Sequence, residues 1–194
     1  MATITQLFTD IIKLQKEIGY NMADYLLPGL SREELNNYEE ELGFKFNDEI
    51  IELYSITGGI DGIGISMGDT ALLPLEVLAN FEYVKTYHSY QVQYDFLNYE
   101  DHIEFGNNVF ILVYDGGSGK SWIDLNEGPN YGKMIEEFGA GELPIYTFNS
   151  ISSYLQFVKN CYEKKLVFLD EHQSLEWDLD IFYPYKQEYL KNQS

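Results

Sequence analysis

Residues 109–125 constrain the fold of this chain more than any other stretch. They read VFILVYDGGSGKSWIDL, in which two β-rich apolar runs flank a five-residue loop at 115–119. The loop is rich in glycine, which readily adopts the positive φ values that a tight turn requires. Apolar runs on both sides of a short glycine loop are typical of a β-hairpin. The sequence therefore predicts two paired strands here.

The same loop ends in Gly119-Lys120-Ser121, which is how a phosphate-binding loop ends. That motif also needs a glycine at position 114 and a helix after the serine. Tyr114 occupies the first of these positions, and the strand-like run SWIDL takes the place of the helix. We therefore predict a turn between two strands, with no nucleotide and no other cofactor.

Acidic residues dominate the charge of the chain. The formal net charge is −20, from 32 acidic and 12 basic residues. The excess is spread along the sequence, with 17 acidic and 5 basic residues in 1–100 and 15 acidic and 7 basic residues in 101–194. Such a field repels nucleic acid and anionic membranes and attracts basic proteins. We expect a basic protein partner; the alternative is that the charge only aids solubility.

Cysteine content and hydropathy indicate the compartment. Cys161 is the only cysteine, so an intramolecular disulfide is excluded, and its apolar neighbours predict a small buried residue in a helix. No apolar run approaches the roughly 20 residues that span a bilayer. The N-terminal residues lack the charged-then-apolar order of a signal peptide. These features predict a cytoplasmic protein.

Apolar spacing and capping signals predict the helices. The first spans 3–19, and the others begin after Ser31, after Asn47 or Asp48, at Pro74, and after Ser150 or Ser152. Gly58 and Gly59 are expected to close the third helix. Strands are predicted at about 60–67, 103–105, 109–114, 121–125, 132–137 and 143–147. Residues 168–194 are predicted to form an added segment that packs on the domain.

No pattern in the sequence points to catalysis or to a metal. The three histidines do not have the spacing of a zinc site, and no serine lies in a Gly-x-Ser-x-Gly motif. Residues 124–130 place oxygen atoms at alternate positions, but Ile135 stands where an EF-hand loop requires glutamate. Glu136 and Glu137 are neighbours in a predicted strand and face opposite sides. We therefore predict no enzyme and no metal site.

Near the C terminus, acidic residues alternate with large apolar ones. The acids are Asp170, Glu171, Glu176, Asp178 and Asp180, and the apolar residues are Leu175, Trp177, Leu179, Phe182 and Tyr183. A surface of this composition suits a basic protein, since charge speeds the encounter and aromatic rings anchor the complex. The alternative is that the rings pack inward and the acids only face water.

The order of these elements resembles the SUKH superfamily over roughly residues 31–165. The resemblance lies in the helix pair LSREELNNYEEELGFKFNDEIIELYSITGG, the helix LLPLEVLANF, the Asp-Gly-Gly hairpin, the strand WIDL and the helix of YTFNSISSYLQFV. It implies an α+β fold, with a curved, mostly antiparallel sheet flanked by helices. We expect one SUKH-like domain over 1–194, with an N-terminal helix and a C-terminal extension outside its core.

The resemblance also implies a binding role rather than catalysis. Bacterial members look like immunity proteins that neutralise toxins, often nucleases, whereas fungal relatives regulate cell-wall glucan synthesis. Because a nuclease is basic where it holds nucleic acid, an acidic inhibitor would complement it. We expect an immunity protein that binds a basic toxin domain. A scaffold or regulatory module, or an enzyme acting on a cationic or sugar substrate, are the alternatives.

Family and charge together predict a partner-binding site on the sheet face and around its turns. The predicted binding residues are Asp61, Asp69, Asp115, Asp124, Glu127, Glu136 and Glu137.

Overall fold

The computed structural model describes residues 2–60, 108–114, 120–137, 144–173 and 175–193. These ranges contain the helices α1 (Ile4–Glu17), α2 (Arg32–Leu42), α3 (Asp48–Ile56), α4 (Ile151–Glu163) and α5 (Leu179–Lys191). They also contain the strands β1 (Leu26–Pro28), β2 (Thr57–Ile60), β3 (Val109–Tyr114), β4 (Lys120–Asp124), β5 (Met134–Glu137), β6 (Ile145–Tyr146), β7 (Val167–Leu169) and β8 (Leu175–Trp177). All the strand pairs described are antiparallel, so the predicted α+β class is confirmed.

Side-chain caps fix where the helices begin. The Ser31 hydroxyl accepts from the Glu34 amide at 3.2 Å, while the Glu34 carboxylate accepts from the Ser31 amide at 2.8 Å. This reciprocal pair satisfies two of the amides that a helix leaves free at its start. At the starts of α3 and α4, the side chains of Asn47 and Ser150 likewise accept a hydrogen bond from the backbone amide three residues later. The predicted starts of these three helices are confirmed.

The end of α3 differs from the prediction. The helix stops at Ile56, and Gly58 and Gly59 lie in β2, which pairs with β1. The close approach of the two segments explains this difference. A Cβ atom at Gly29 would lie 2.1 Å from the Ser55 carbonyl oxygen, so only glycine fits beside this part of α3. The pairing with β1, some thirty residues earlier, therefore decides the structure of 57–60.

The main sheet has the strand order β3-β4-β5-β6, and its strands β3, β4 and β5 are buried on both faces. Trp122 of β4 is fully buried between Ile111 of β3 and Ile135 of β5, its register partners. The ring of Phe110 meets Tyr54 of α3 edge-on, with centroids 5.6 Å apart. The predicted strands at 109–114, 121–125, 132–137 and 143–147 are therefore present, with shifted ends. The predicted strand 103–105, the helix at Pro74 and most of strand 60–67 lie outside the described residues.

Residues 167–191 form a hairpin and a long helix that pack on the other elements. The strands β7 and β8 pair with each other, and α5 begins directly after β8. The ring of Phe157 on α4 stacks on Tyr185 of α5 at 5.6 Å and contacts Phe182 at 5.7 Å. The buried apolar residues from α1 to α5 belong to one core cluster. We propose on this ground that residues 1–194 form a single domain.

A buried ion pair joins the main sheet to α5. The Lys186 ammonium on α5 lies 2.7 Å from the Glu136 carboxylate on β5, and the side chains are 8% and 1% exposed. Burial raises the pKa of Glu136, and the positive charge of Lys186 opposes that rise. Burial of an isolated charge costs several kcal/mol of hydration free energy, so each of these charges offsets part of the cost of burying the other.

A second long-range contact joins α3 to α4. The Glu49 carboxylate accepts a hydrogen bond from the Ile151 amide at 2.8 Å and another from the Ser152 hydroxyl. It thus occupies the positively polarised start of α4, where free amides and the helix dipole favour an anion. Two elements separated by about a hundred residues of chain are fixed to each other in this way.

Replacing Lys186 by methionine should leave the Glu136 carboxylate buried without its partner. We expect the free energy of unfolding to fall by about 3–5 kcal/mol at neutral pH, because an unpaired buried charge loses its hydration without compensation. The double variant Glu136→Gln/Lys186→Met should recover most of this loss. Urea unfolding of the three proteins gives the comparison, and equal stability of the single and double variants would contradict the assignment.

The Lys186→Met variant should also respond to pH with a defined sign. The pKa of Glu136 is already raised above 4.5, and removal of the positive charge raises it further. As the pH falls, a carboxyl group whose pKa is raised by folding is protonated in the folded protein at a higher pH than in the unfolded chain. The free energy of unfolding therefore increases as the pH falls towards the pKa of this group in the unfolded chain. The stability gap between Lys186→Met and the double variant should therefore be smaller at about pH 5 than at about pH 8. A gap independent of pH would argue against an unpaired carboxylate.

Replacing Glu49 by alanine should lower the free energy of unfolding by about 1–2 kcal/mol, because the start of α4 loses the carboxylate that accepts from the Ile151 amide and the Ser152 hydroxyl. Glu49→Gln keeps an acceptor oxygen and should lose less. Asp48→Ala is the matched control, since Asp48 also lies in the first turn of α3 but is exposed. Thermal and urea unfolding would measure all three variants. A loss in Asp48→Ala as large as that in Glu49→Ala would show that only the start of α3 had been perturbed.

Candidate partner-binding surface

The structure describes four of the seven predicted binding acids. Asp124 ends β4, Glu127 lies in the following turn, and Glu136 and Glu137 lie in β5. Asp61, Asp69 and Asp115 lie outside the described residues. The main sheet therefore brings Asp124 and Glu136 into neighbouring strands, with Glu127 in the turn between them.

Asp124 is 4% exposed, and its carboxylate bonds within the chain. One oxygen accepts from the Tyr146 hydroxyl at 2.5 Å, and the other accepts from the Asn126 amide at 2.9 Å and from its side-chain nitrogen at 2.8 Å. The Asp124 carbonyl accepts from the Gly132 amide at 2.7 Å. These contacts tie β4, the turn 125–133 and β6 together, so Asp124 shapes the turn.

The turn that Asp124 holds exposes two residues suited to recognition. The side chain of Glu127 is exposed, and that of Tyr131 is 48% exposed. Gly128 and Gly132 have φ values of 152° and 84°, a region that favours glycine, so they let the chain turn tightly directly after Glu127 and directly after Tyr131. Of the predicted acids whose side chains are described, Glu127 is the exposed one. An acid and an aromatic ring on a well-held turn can contact a basic partner.

Glu136 forms an ion pair with Lys186 inside the protein, and the sequence predicts no role for this lysine. The two residues lie fifty positions apart, and no local pattern connects them. The available signal was helical spacing: Lys186 follows the buried Phe182 by four residues and precedes the half-buried Tyr189 by three. A lysine on the apolar face of a helix needs an anionic partner in the core.

The C-terminal segment contains both outcomes that its alternating sequence allowed. Phe182 and Leu175 are buried and Trp177 is half-buried, so these side chains pack inward. Leu179 and Tyr183 are exposed, together with the acids Glu171, Glu176, Asp178 and Asp180. The segment is therefore attached by some of its apolar residues and presents others to solvent.

Cys161 is a core residue, as predicted. It is buried in α4, and burial raises the pKa of its thiol to about 12, which disfavours the thiolate needed for nucleophilic attack. Among the described residues, no group of His, Cys, Asp and Glu is placed to hold a metal ion. None of the described helices has both the length and the apolar character required to cross a bilayer.

Comparison with protein families identifies the central part of the chain. A model of the SMI1 / KNR4 family (SUKH-1) matches residues 29–157, which is more than half of the sequence. The match includes α2, α3, the main sheet and the first half of α4, and it leaves out α1, the β7–β8 hairpin and α5. Comparison with curated proteins gave no match. The extent of the family match shows that the chain belongs to the SMI1 / KNR4 family (SUKH-1).

Proposed function

We propose that this chain is a non-catalytic immunity protein, acting in the bacterial cytoplasm, that binds a toxin domain and blocks its active site or its access to substrate. Membership of the SUKH-1 family supports a binding role of this kind. The net charge of −20 is the observation that carries the choice of partner. It favours a basic toxin domain, and a nuclease above all, because a nuclease needs a positive surface to hold nucleic acid.

The charge also suggests how recognition proceeds. A strongly negative protein attracts a basic domain over several ångströms before contact, which raises the association rate. The same charge repels acidic proteins and so disfavours complexes with them. Salt shortens the range of this attraction to about 8 Å at physiological ionic strength. Once the two proteins have met, close contacts made by exposed side chains determine how slowly the complex dissociates.

The seven acids predicted to bind the partner have two different roles in this proposal. Glu127 would contact the partner from the turn, and Asp124 and Glu136 would hold the turn and the sheet in place from within. Asp61, Asp69, Asp115 and Glu137 remain proposed contacts. The geometry around Asp124 supports this division, because both of its carboxylate oxygens already accept hydrogen bonds inside the chain.

The proposal predicts that the toxin domain encoded beside this gene loses its activity when mixed with an equimolar amount of this protein. Titration calorimetry should show tight binding whose affinity falls steeply between about 50 mM and about 500 mM salt, because attraction between exposed charges is screened. The control is an unrelated basic protein with a net charge similar to that of the toxin domain. It should bind this protein at least about a hundredfold more weakly than the toxin domain does. Toxin activity that is unchanged by an excess of this protein would contradict the proposal.

A further inference from the structure

Exposed apolar residues are concentrated near the C terminus. Of the seven large hydrophobic residues that the structure describes as exposed, four lie within residues 168–183. Phe168, Leu179, Ile181 and Tyr183 are between 43% and 52% exposed. Single exposed apolar residues are ordinary, but several in one short segment are typical of an interaction surface.

The β7–β8 hairpin separates an inner and an outer face. Val167 and Leu175 are buried on the inner face, while Phe168 and its cross-strand partner Glu176 are exposed on the outer face. Opposite residues in an antiparallel pair have Cβ atoms about 5 Å apart. The outer face therefore presents an aromatic ring with a carboxylate directly beside it.

The start of α5 continues this surface. Leu179 lies three residues after Glu176, at most about 10 Å further along the backbone. Tyr183 follows Leu179 by four residues and is therefore on the same side of the helix. Ile181 lies between them in sequence and faces a different side. The first turns of α5, which follow β8 after a single residue, thus expose an aliphatic and an aromatic side chain next in sequence to the outer face of the hairpin.

The inner contacts hold this surface against the core. The Trp177 ring packs on Phe182 at 4.8 Å, and the Asp178 amide donates to the Leu166 carbonyl at 3.3 Å. One turn further along α5, Lys186 is fixed to Glu136 of the main sheet. A surface that is already ordered loses little conformational entropy on binding, which favours affinity.

The charge of the segment selects the class of partner. Residues 166–185 contain five acidic residues and no lysine or arginine. Glu176, Asp178 and Asp180 are exposed beside the apolar side chains. A second copy of a chain with a charge of −20 would be repelled, as would an anionic membrane. A basic protein segment with apolar side chains complements both the charges and the rings.

We propose that a C-terminal patch, made up of Phe168, Glu176, Leu179, Asp180 and Tyr183, is the docking surface for a basic protein segment that carries apolar side chains. The proposal rests on the proposed function, in which that segment belongs to the toxin domain. The patch lies outside residues 29–157, so it is an addition to the part of the chain that matches the family model. Its apolar residues anchor the partner, and its acids orient it.

The test measures binding of the full-length protein to the toxin domain encoded beside its gene, by titration calorimetry. Phe168→Ala, Leu179→Ala and Glu176→Lys should each weaken binding by about tenfold or more, because each removes an anchor or reverses a complementary charge. The matched controls are Tyr25→Ala, at an exposed tyrosine outside the patch, and Glu40→Lys, at an exposed acid on α2. Both should bind within about threefold of the unchanged protein.

Melting curves of the free proteins separate binding from folding, and substitutions at such exposed positions should shift the melting temperature by no more than about 2 °C. If the unchanged protein binds and the three patch variants bind equally well, the C-terminal patch is wrong and the proposed function stands. If patch and control variants lose affinity alike, the assignment of the C-terminal patch as the docking surface is also wrong. If the unchanged protein does not bind, both proposals fall.

Discussion

The ion pair between Glu136 and Lys186 is the interaction on which the arrangement of this protein depends. Removing two charges from water is costly, and the cost is offset only when the charges stay within contact of each other. The helix α5 can therefore take few positions on the main sheet without exposing or separating them. Glu136 lies inside the region that matches the SUKH-1 model, whereas Lys186 lies beyond it. The pair thus joins the family core to the segment that this chain adds.

That arrangement changes the part played by acids in the sheet. Because β3, β4 and β5 are covered on both faces, a carboxylate within them must find its partner inside the protein. Asp124 and Glu136 do so through Tyr146, Asn126 and Lys186. Acids on turns and on the outer side of the C-terminal segment remain in water, where their charge can act on a partner. Location in the fold, rather than charge alone, therefore decides which acids support binding.

The sequence predicted those features that depend on residues close together along the chain. The caps at Ser31 and Ser150 involve residues three positions apart, and two apolar runs on either side of a glycine loop were sufficient to predict β3 and β4. It did not predict the β1–β2 pair or the contacts of Glu49 and Glu136, whose partners lie from about 30 to about 100 residues away. In residues 168–183, one pattern allowed the rings to face inward or outward. The register of β7 and β8, which no local rule supplied, decides this for Phe168.

Charge and apolar anchors contribute to recognition in different ways. Thirty-two acidic residues spread along the chain produce a field that attracts any basic protein, so this field alone selects poorly among basic partners. Affinity differences between related complexes arise mostly in the dissociation rate, which depends on close contacts. The rings and aliphatic side chains of the C-terminal patch can supply such contacts, since they fit only a partner with a matching apolar surface. The general charge would then determine how fast basic proteins arrive, and the patch would determine which of them remains bound.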